Sequence, residues 1–205
     1  MDNESVIADL IYDLSEFDDD IREAAREELI AIGEPAIPQL VEALADNLGD
    51  VVEQATDVLA AIGEPAIPAL IDEMAIAERY YALALGDTLS RIGEPAVPVL
   101  VEALSDKLNE DFREYAIRAL NLMGVAAIRA LPALIEALTD PSDEVRSYAA
   151  YTFSKMEGAA ADAVPALIKA LDDESEEVRN HAVFALGKIG TSEAKQALET
   201  FNQSM

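Results

Sequence analysis

IGEPAIPQLVEAL, residues 32–44, returns as IGEPAIPALI at 62–71 and as IGEPAVPVLVEAL at 92–104. Gly33, Gly63 and Gly93 stand 30 residues apart. Looser copies follow as LPALIEAL at 131–138 and VPALIKAL at 164–171. Pro38, Pro68, Pro98, Pro132 and Pro165 keep the register, with spacings of 30, 30, 34 and 33. A period of this length marks a stacked-repeat architecture in which each repeat is one supersecondary unit.

Each period holds two helical patterns. Before the glycine, apolar residues recur at intervals of three and four, as in Ile21, Ala25, Leu29 and Ile32, which is one face of a helix. The glycine stops that helix, so Gly33, Gly63, Gly93 and Gly190 are expected at helix ends with positive φ. Glu-Pro-Ala then restarts the chain, proline being suited to a first helical turn. Asp140-Pro141 reads as a cap followed by a first-turn proline. The second helix is short and apolar: Ile37, Leu40, Val41, Leu44. Neither helix can bury its stripe alone, whereas stacked pairs bury it against their neighbours. A leading helix near 4–15 precedes six pairs, at 18–45, 49–75, 77–105, 110–138, 143–171 and 175–203. The predicted fold is therefore all-α: an α-solenoid of about six helix pairs plus a leading cap helix, in one domain over residues 1–205.

Charge narrows the function. The 205-residue chain carries 41 acidic residues against 14 Lys and Arg, a net charge of −27. Phosphate backbones and anionic membrane surfaces are repelled, so neither nucleic acid nor membrane is an expected partner. Residues 1–75 hold 20 acids and only two bases, Arg22 and Arg26; residues 76–205 hold 21 acids and 12 bases. Such acidity serves solubility or a salty interior, or it attracts a basic protein. The chain has no Cys, which removes disulfides, thiolate metal sites and a cysteine nucleophile. Its acidic start lacks the basic opening of a signal peptide, and no uncharged apolar run reaches the ~18 residues of a membrane span. A cytoplasmic location is the expectation.

The segments DPSDEVRSYAAYTF (140–153) and DDESEEVRNHAVFALGKIG (172–190) resemble HEAT repeats, and more narrowly the HEAT-like repeats of phycobilisome lyases. The resemblance implies a polar ladder in which an Asp six residues before an Arg links successive repeats. Asp140–Arg146 and Asp173–Arg179 match it, with Glu16–Arg22 as a variant. Asp46 stands opposite Val52 and Asp106 opposite Phe112, so those two repeats are read as lacking the Arg, and the third pair keeps neither half. Deoxyhypusine hydroxylases, a branch of the same family, bind iron through paired His-Glu motifs. Here His181 is the only histidine and is followed by Ala182, so a site of several imidazoles cannot form within one chain. Nothing marks a serine activated by it. Asp18-Asp19-Asp20 and Asp172-Asp173-Glu174 lack calcium-loop spacing and read as helix-start acids. No phosphate-binding glycine motif occurs. Tyr80-Tyr81 and the trio Tyr148, Tyr151, Phe153 read first as core. No catalytic residue, metal or cofactor is expected.

In HEAT arrays the second helices line one face. Four residues beyond each register proline come Glu42, Asp72, Glu102, Glu136 and Lys169, and aligning Leu14 with Leu44 places Tyr12 beside them on the leading helix. These six are the candidate partner-binding residues. The positions before the five, Val41, Ile71, Val101, Ile135 and Ile168, read as core. The expected function is a non-catalytic protein–protein interaction scaffold or adaptor with an acidic helical surface for a protein partner, basic in character. The resemblance also implies an alternative, an accessory subunit of a phycobilin lyase or phycobilisome-remodelling system.

Overall fold

The computed structural model describes residues 3–45 and 49–204; Asp46, set opposite Val52 above, lies outside them. The described residues form thirteen α-helices and five short 3₁₀ turns, with no strand. The chain divides into two compact units, Met1–Ala96 and Val97–Met205. The first contains α1 (Asn3–Asp13), α2 (Asp19–Ile32), α3 (Ile37–Ala43), α4 (Gly49–Ile62), α5 (Ile67–Met74) and α6 (Arg79–Ile92). The second contains α7 (Val97–Leu104), α8 (Glu110–Met123), α9 (Leu131–Ala137), α10 (Asp143–Met156), α11 (Val164–Ala170), α12 (Glu176–Ile189) and α13 (Ser192–Ser204). The order is that expected: a leading helix, then long first helices alternating with second helices, short in every pair but the last.

The turn between them follows from its residues. Gly33 takes φ 69° and ψ −131°, a region that a Cβ disfavours. Its N–H donates to the Leu29 carbonyl, ending α2, and its carbonyl accepts from the Ala36 N–H, closing a turn of 3₁₀ helix over Glu34-Pro35-Ala36. Pro38 then occupies the first turn of α3, where its missing N–H leaves no bond unmade. Gly63, Gly93 and Gly190 also have positive φ, at 79°, 85° and 66°. Two further stops carry no Gly-Glu-Pro. Gly124 has φ 55°, and Glu157 has φ 49° although it bears a side chain. Behind them the 3₁₀ turns lengthen to seven residues, Gly124–Ala130 and Glu157–Ala163, which accounts for the wider proline spacing there.

Asp140 is not the helix cap that its position before Pro141 suggests. The cap of α10 is Ser142, and Asp140 Oδ1 accepts the Ser142 N–H at 2.9 Å, folding the approach to the helix. Asp173 does the same for Ser175 at 2.8 Å.

Each unit has its own core. Leu29, Leu40, Leu59, Leu70, Leu85 and Leu89 are fully buried in the first; Leu100, Ile117, Leu120, Leu134, Phe153, Leu167 and Leu186 are in the second. Each such side chain stabilises the fold by roughly 2 kcal/mol relative to exposure. The helical run Glu110–Ala137 is long and apolar enough to cross a membrane by length and composition. It is broken at Gly124, and its apolar side, with Ile117, Leu120 and Leu134, is packed into the second unit's core.

Candidate protein-binding surface

All six predicted surface residues are exposed. In the first unit these are Tyr12 on α1, Glu42 on α3 and Asp72 on α5; in the second, Glu102 on α7, Glu136 on α9 and Lys169 on α11. A helix of seven or eight residues has two turns, and positions three and four apart share its buried side. Leu70 and Met74 show this on α5, as do Leu100 and Leu104 on α7. The residue four beyond the proline is left pointing outward.

The positions just before them need correction. Val41 is buried, but Ile71, Val101, Ile135 and Ile168 are only half-buried. They flank the exposed residue rather than face the core, so apolar surface borders each charge. Val41 differs because Tyr81, from α6, reaches over that turn and donates its hydroxyl to the Val41 carbonyl at 3.1 Å. Burial, then the negative charges of Glu73 and Glu42, pushes the Tyr81 phenol above its ordinary pKa. Its neighbour Tyr80 is exposed, so the adjacent tyrosines divide between core edge and surface.

In the second unit Val101, but neither Ile135 nor Ile168, opens into a cleft of about 610 Å³ between α7 and α9. Pro98, Val101, Leu104 and Ala133 line it, together with the carboxylates of Glu102 and Glu136. Lys107 and Arg113 line its loop end, Arg113 being already paired with Asp140.

That pairing belongs to the ladder, whose connections differ from the sequence reading. Arg146 donates to the Asp140 main-chain carbonyl at 2.9 Å, not to the Asp140 carboxylate. Its other edge grips the Asp173 carboxylate in the following loop with two bonds, at 2.9 and 3.0 Å. Arg113 repeats the pattern one repeat earlier. It donates to the Asp106 carbonyl and makes two bonds to Asp140, at 2.9 and 3.0 Å. The repeat beginning at Asp106 therefore has its Arg, one position beyond Phe112. Its loop is one residue longer, and Arg113, like Arg146 and Arg179, falls four residues after the helix cap. Burial pushes the Asp173 carboxyl up, but the Arg146 hydrogen bonds, the Ser175 N–H and the charges of Arg146 and Arg179 together hold it below the usual range. The hydrogen bonds to Asp140 and to Asp173 hold the Arg113 and Arg146 guanidiniums above theirs, against burial. In the first unit, Arg22 reaches the Glu16 carbonyl and the Asp19 carboxylate. Asp18 caps α2 by accepting the Asp20 N–H.

His181 on α12 is half-buried, with Nδ1 at 2.8 Å from Ser147 Oγ and 3.2 Å from the Ser147 carbonyl. The sequence did not disclose this serine, which lies a whole repeat away. Ser147 is buried within α10, where main-chain N–H groups are spent on helix bonds and none is left to stabilise an oxyanion. The contact joins α10 to α12.

A model of HEAT repeats matches residues 67–154 and 131–203. This chain belongs to the HEAT-repeat family. No curated protein sequence matches it. Among solved structures, this HEAT-repeat chain is similar to the complex of CpcE and CpcF of phycocyanin lyase from Nostoc sp. PCC7120. There the identity is 28%, over 68% of this chain and 88% of that one, with a TM-score of 0.59. It is also similar in fold to an engineered protein, at 22% identity over 96% of this chain and 61% of the other, with a TM-score of 0.52.

Proposed function

We propose that this HEAT-repeat chain is a non-catalytic protein-binding scaffold whose second helices receive a basic protein segment. The observation that carries the reading is the α7–α9 cleft, where half-buried apolar side chains lie beside Glu102 and Glu136. Apolar area supplies affinity, and the carboxylates select positive partners and speed their encounter. In the first unit Asp72 stands in the same way beside the half-buried Ile71, and Glu42 beside the buried Val41. The test replaces Glu42, Glu102 and Glu136 by Gln and Asp72 by Asn together. Affinity for a co-purifying partner should fall, and the dependence of binding on salt should flatten, with the circular dichroism unchanged. Unaltered affinity in a folded variant removes this face.

A second reading has its own support. The likeness to the CpcE–CpcF complex of phycocyanin lyase favours a role as an accessory subunit, acting with a second helical-repeat chain in handling a phycobilin. Mixing the purified protein with a bilin and following absorbance separates the two: a shifted spectrum that requires this chain supports the accessory role, and an unchanged spectrum supports the plain scaffold.

A further inference from the structure

On the first helices of the second unit, away from the second-helix surface, aromatic rings and cations gather. Tyr151 of α10 lies 5.0 Å from the His181 ring and 6.2 Å from the Phe184 ring, both on α12. Lys155 stands 5.4 Å from the centre of the Tyr151 ring, Lys188 stands 5.6 Å from that of Phe184, and Arg118 of α8 stands 4.4 Å from that of Tyr148. Tyr148, Tyr151 and His181 are half-buried, and Phe184 is 45% exposed. This is surface that water covers poorly, in a protein otherwise short of aromatics.

The cations are not equally committed. Arg118 pairs with Glu144. Lys155 donates to the main-chain and side-chain oxygens of Asn121, at 2.9 Å each, tying α10 to the end of α8. Lys188 is exposed, and among the described residues no carboxylate pairs with it or with Lys155. In a chain of net charge −27, two lysines beside open rings and without carboxylate partners are out of keeping with the rest of the surface.

We infer that this ring-and-lysine patch is a second binding surface, taking a protein segment in which carboxylates flank an aromatic or large aliphatic side chain. The apolar side chain covers Phe184 and Tyr151, and the carboxylates meet Lys188 and Lys155. Neighbouring helices lie ~8–10 Å apart, a gap that two flexible carboxylate side chains on either side of one apolar side chain can bridge. A nucleic acid offers rings and negative charge too, but its unbroken row of phosphates would run onto Glu144 and Glu177 on the same helices. With the basic segment received on the second helices, the chain becomes a connector between partners of opposite charge. The patch stands on its own observations and does not depend on that first surface.

The experiment uses the full chain and fluorescein-labelled peptides read by anisotropy. One peptide carries Glu-Phe-Glu, a second Glu-Ser-Glu, a third Lys-Phe-Lys, and a labelled oligothymidine is the fourth probe. The Glu-Phe-Glu peptide should bind, and Lys188→Glu and Phe184→Ser should each weaken it roughly tenfold, a loss of ~1.4 kcal/mol. Lys188 touches only Phe184 among the contacts described, so Lys188→Glu probes the patch without disturbing the core, and the melting curve checks this. The patch assignment is overturned by equal binding of Glu-Phe-Glu and Glu-Ser-Glu. Preference for the oligothymidine or for Lys-Phe-Lys overturns it too, as does full affinity in a folded Lys188→Glu variant or no binding of the Glu-Phe-Glu peptide.

Discussion

Glu157 holds a backbone position that glycine fills at the equivalent stops, with φ 49° and ψ −134°. A side chain there costs on the order of 1–3 kcal/mol. Glu157→Gly should therefore stabilise the protein by about 1 kcal/mol, after allowing for the greater freedom of glycine in the unfolded chain. Gly33→Val makes the reverse change. No atom would crowd its Cβ closely, the nearest being the Ile30 carbonyl oxygen at 3.9 Å. Its cost of about 2 kcal/mol would come from the backbone alone. Urea unfolding of both variants gives the signs directly. The stops at Gly33, Gly63 and Gly93 were legible because Gly-Glu-Pro recurs verbatim. The stop at Glu157 was not, since an L-residue at positive φ leaves no compositional mark.

Among the elements, the ladder joins one helical repeat to the next. Arg146→Met should destabilise by about 3 kcal/mol, because it strands the nearly buried Asp173 carboxylate without its partner. Arg146→Lys should recover only part, since an ammonium cannot make the paired bonds to both oxygens. Thermal unfolding of the two variants measures the difference. The Asp–Arg spacing was legible in the sequence, but its connections were not: the paired bonds run from Arg113 and Arg146 to the next loop, and spacing within one repeat cannot show that. Counting from Asp also hid Arg113, which counting from the helix cap recovers. Acid titration tests the same elements. Asp173, held below the unfolded carboxylate value of ~3.9, contributes stability that is present above that pH and lost as pH falls through its folded value. Glu114 acts oppositely. Burial, and then the charge of Glu144, raises its pKa despite a hydrogen bond from Ser142. Its ionisation opposes folding, so stability rises as pH falls through its raised value towards ~4.3. The melting temperature should peak in the weakly acidic range, and Glu114→Gln should flatten the neutral side of that peak while leaving the acid side.

At the scale of the whole molecule, charge dominates. With 41 acids against 14 bases, repulsion between exposed carboxylates opposes the compact state and is screened by salt. Raising sodium chloride from low to near-molar concentration should raise the melting temperature, by ~2–4 °C for each kcal/mol of repulsion relieved. A fall would mean that exposed ion pairs outweigh the repulsion. The exposed second-helix residues were legible because each stands at a fixed distance from a proline. The ring-and-lysine patch was not, because Tyr151 and Phe184 are a repeat apart in sequence and only packing of α10 on α12 unites them. The joint between repeats has a further consequence. Arg113 and Arg146 each close on the Asp that opens the following loop, so a block from Pro141 to Asp173 carries one complete coupling. A tandem duplication of that block would supply its own Arg for the preceding Asp register and its own Asp for the next. Length is then quantised: the second unit can grow by whole repeats of 33 residues, each adding a step of ~10 Å, and the distance between its docking features becomes a quantity that gene duplication can set.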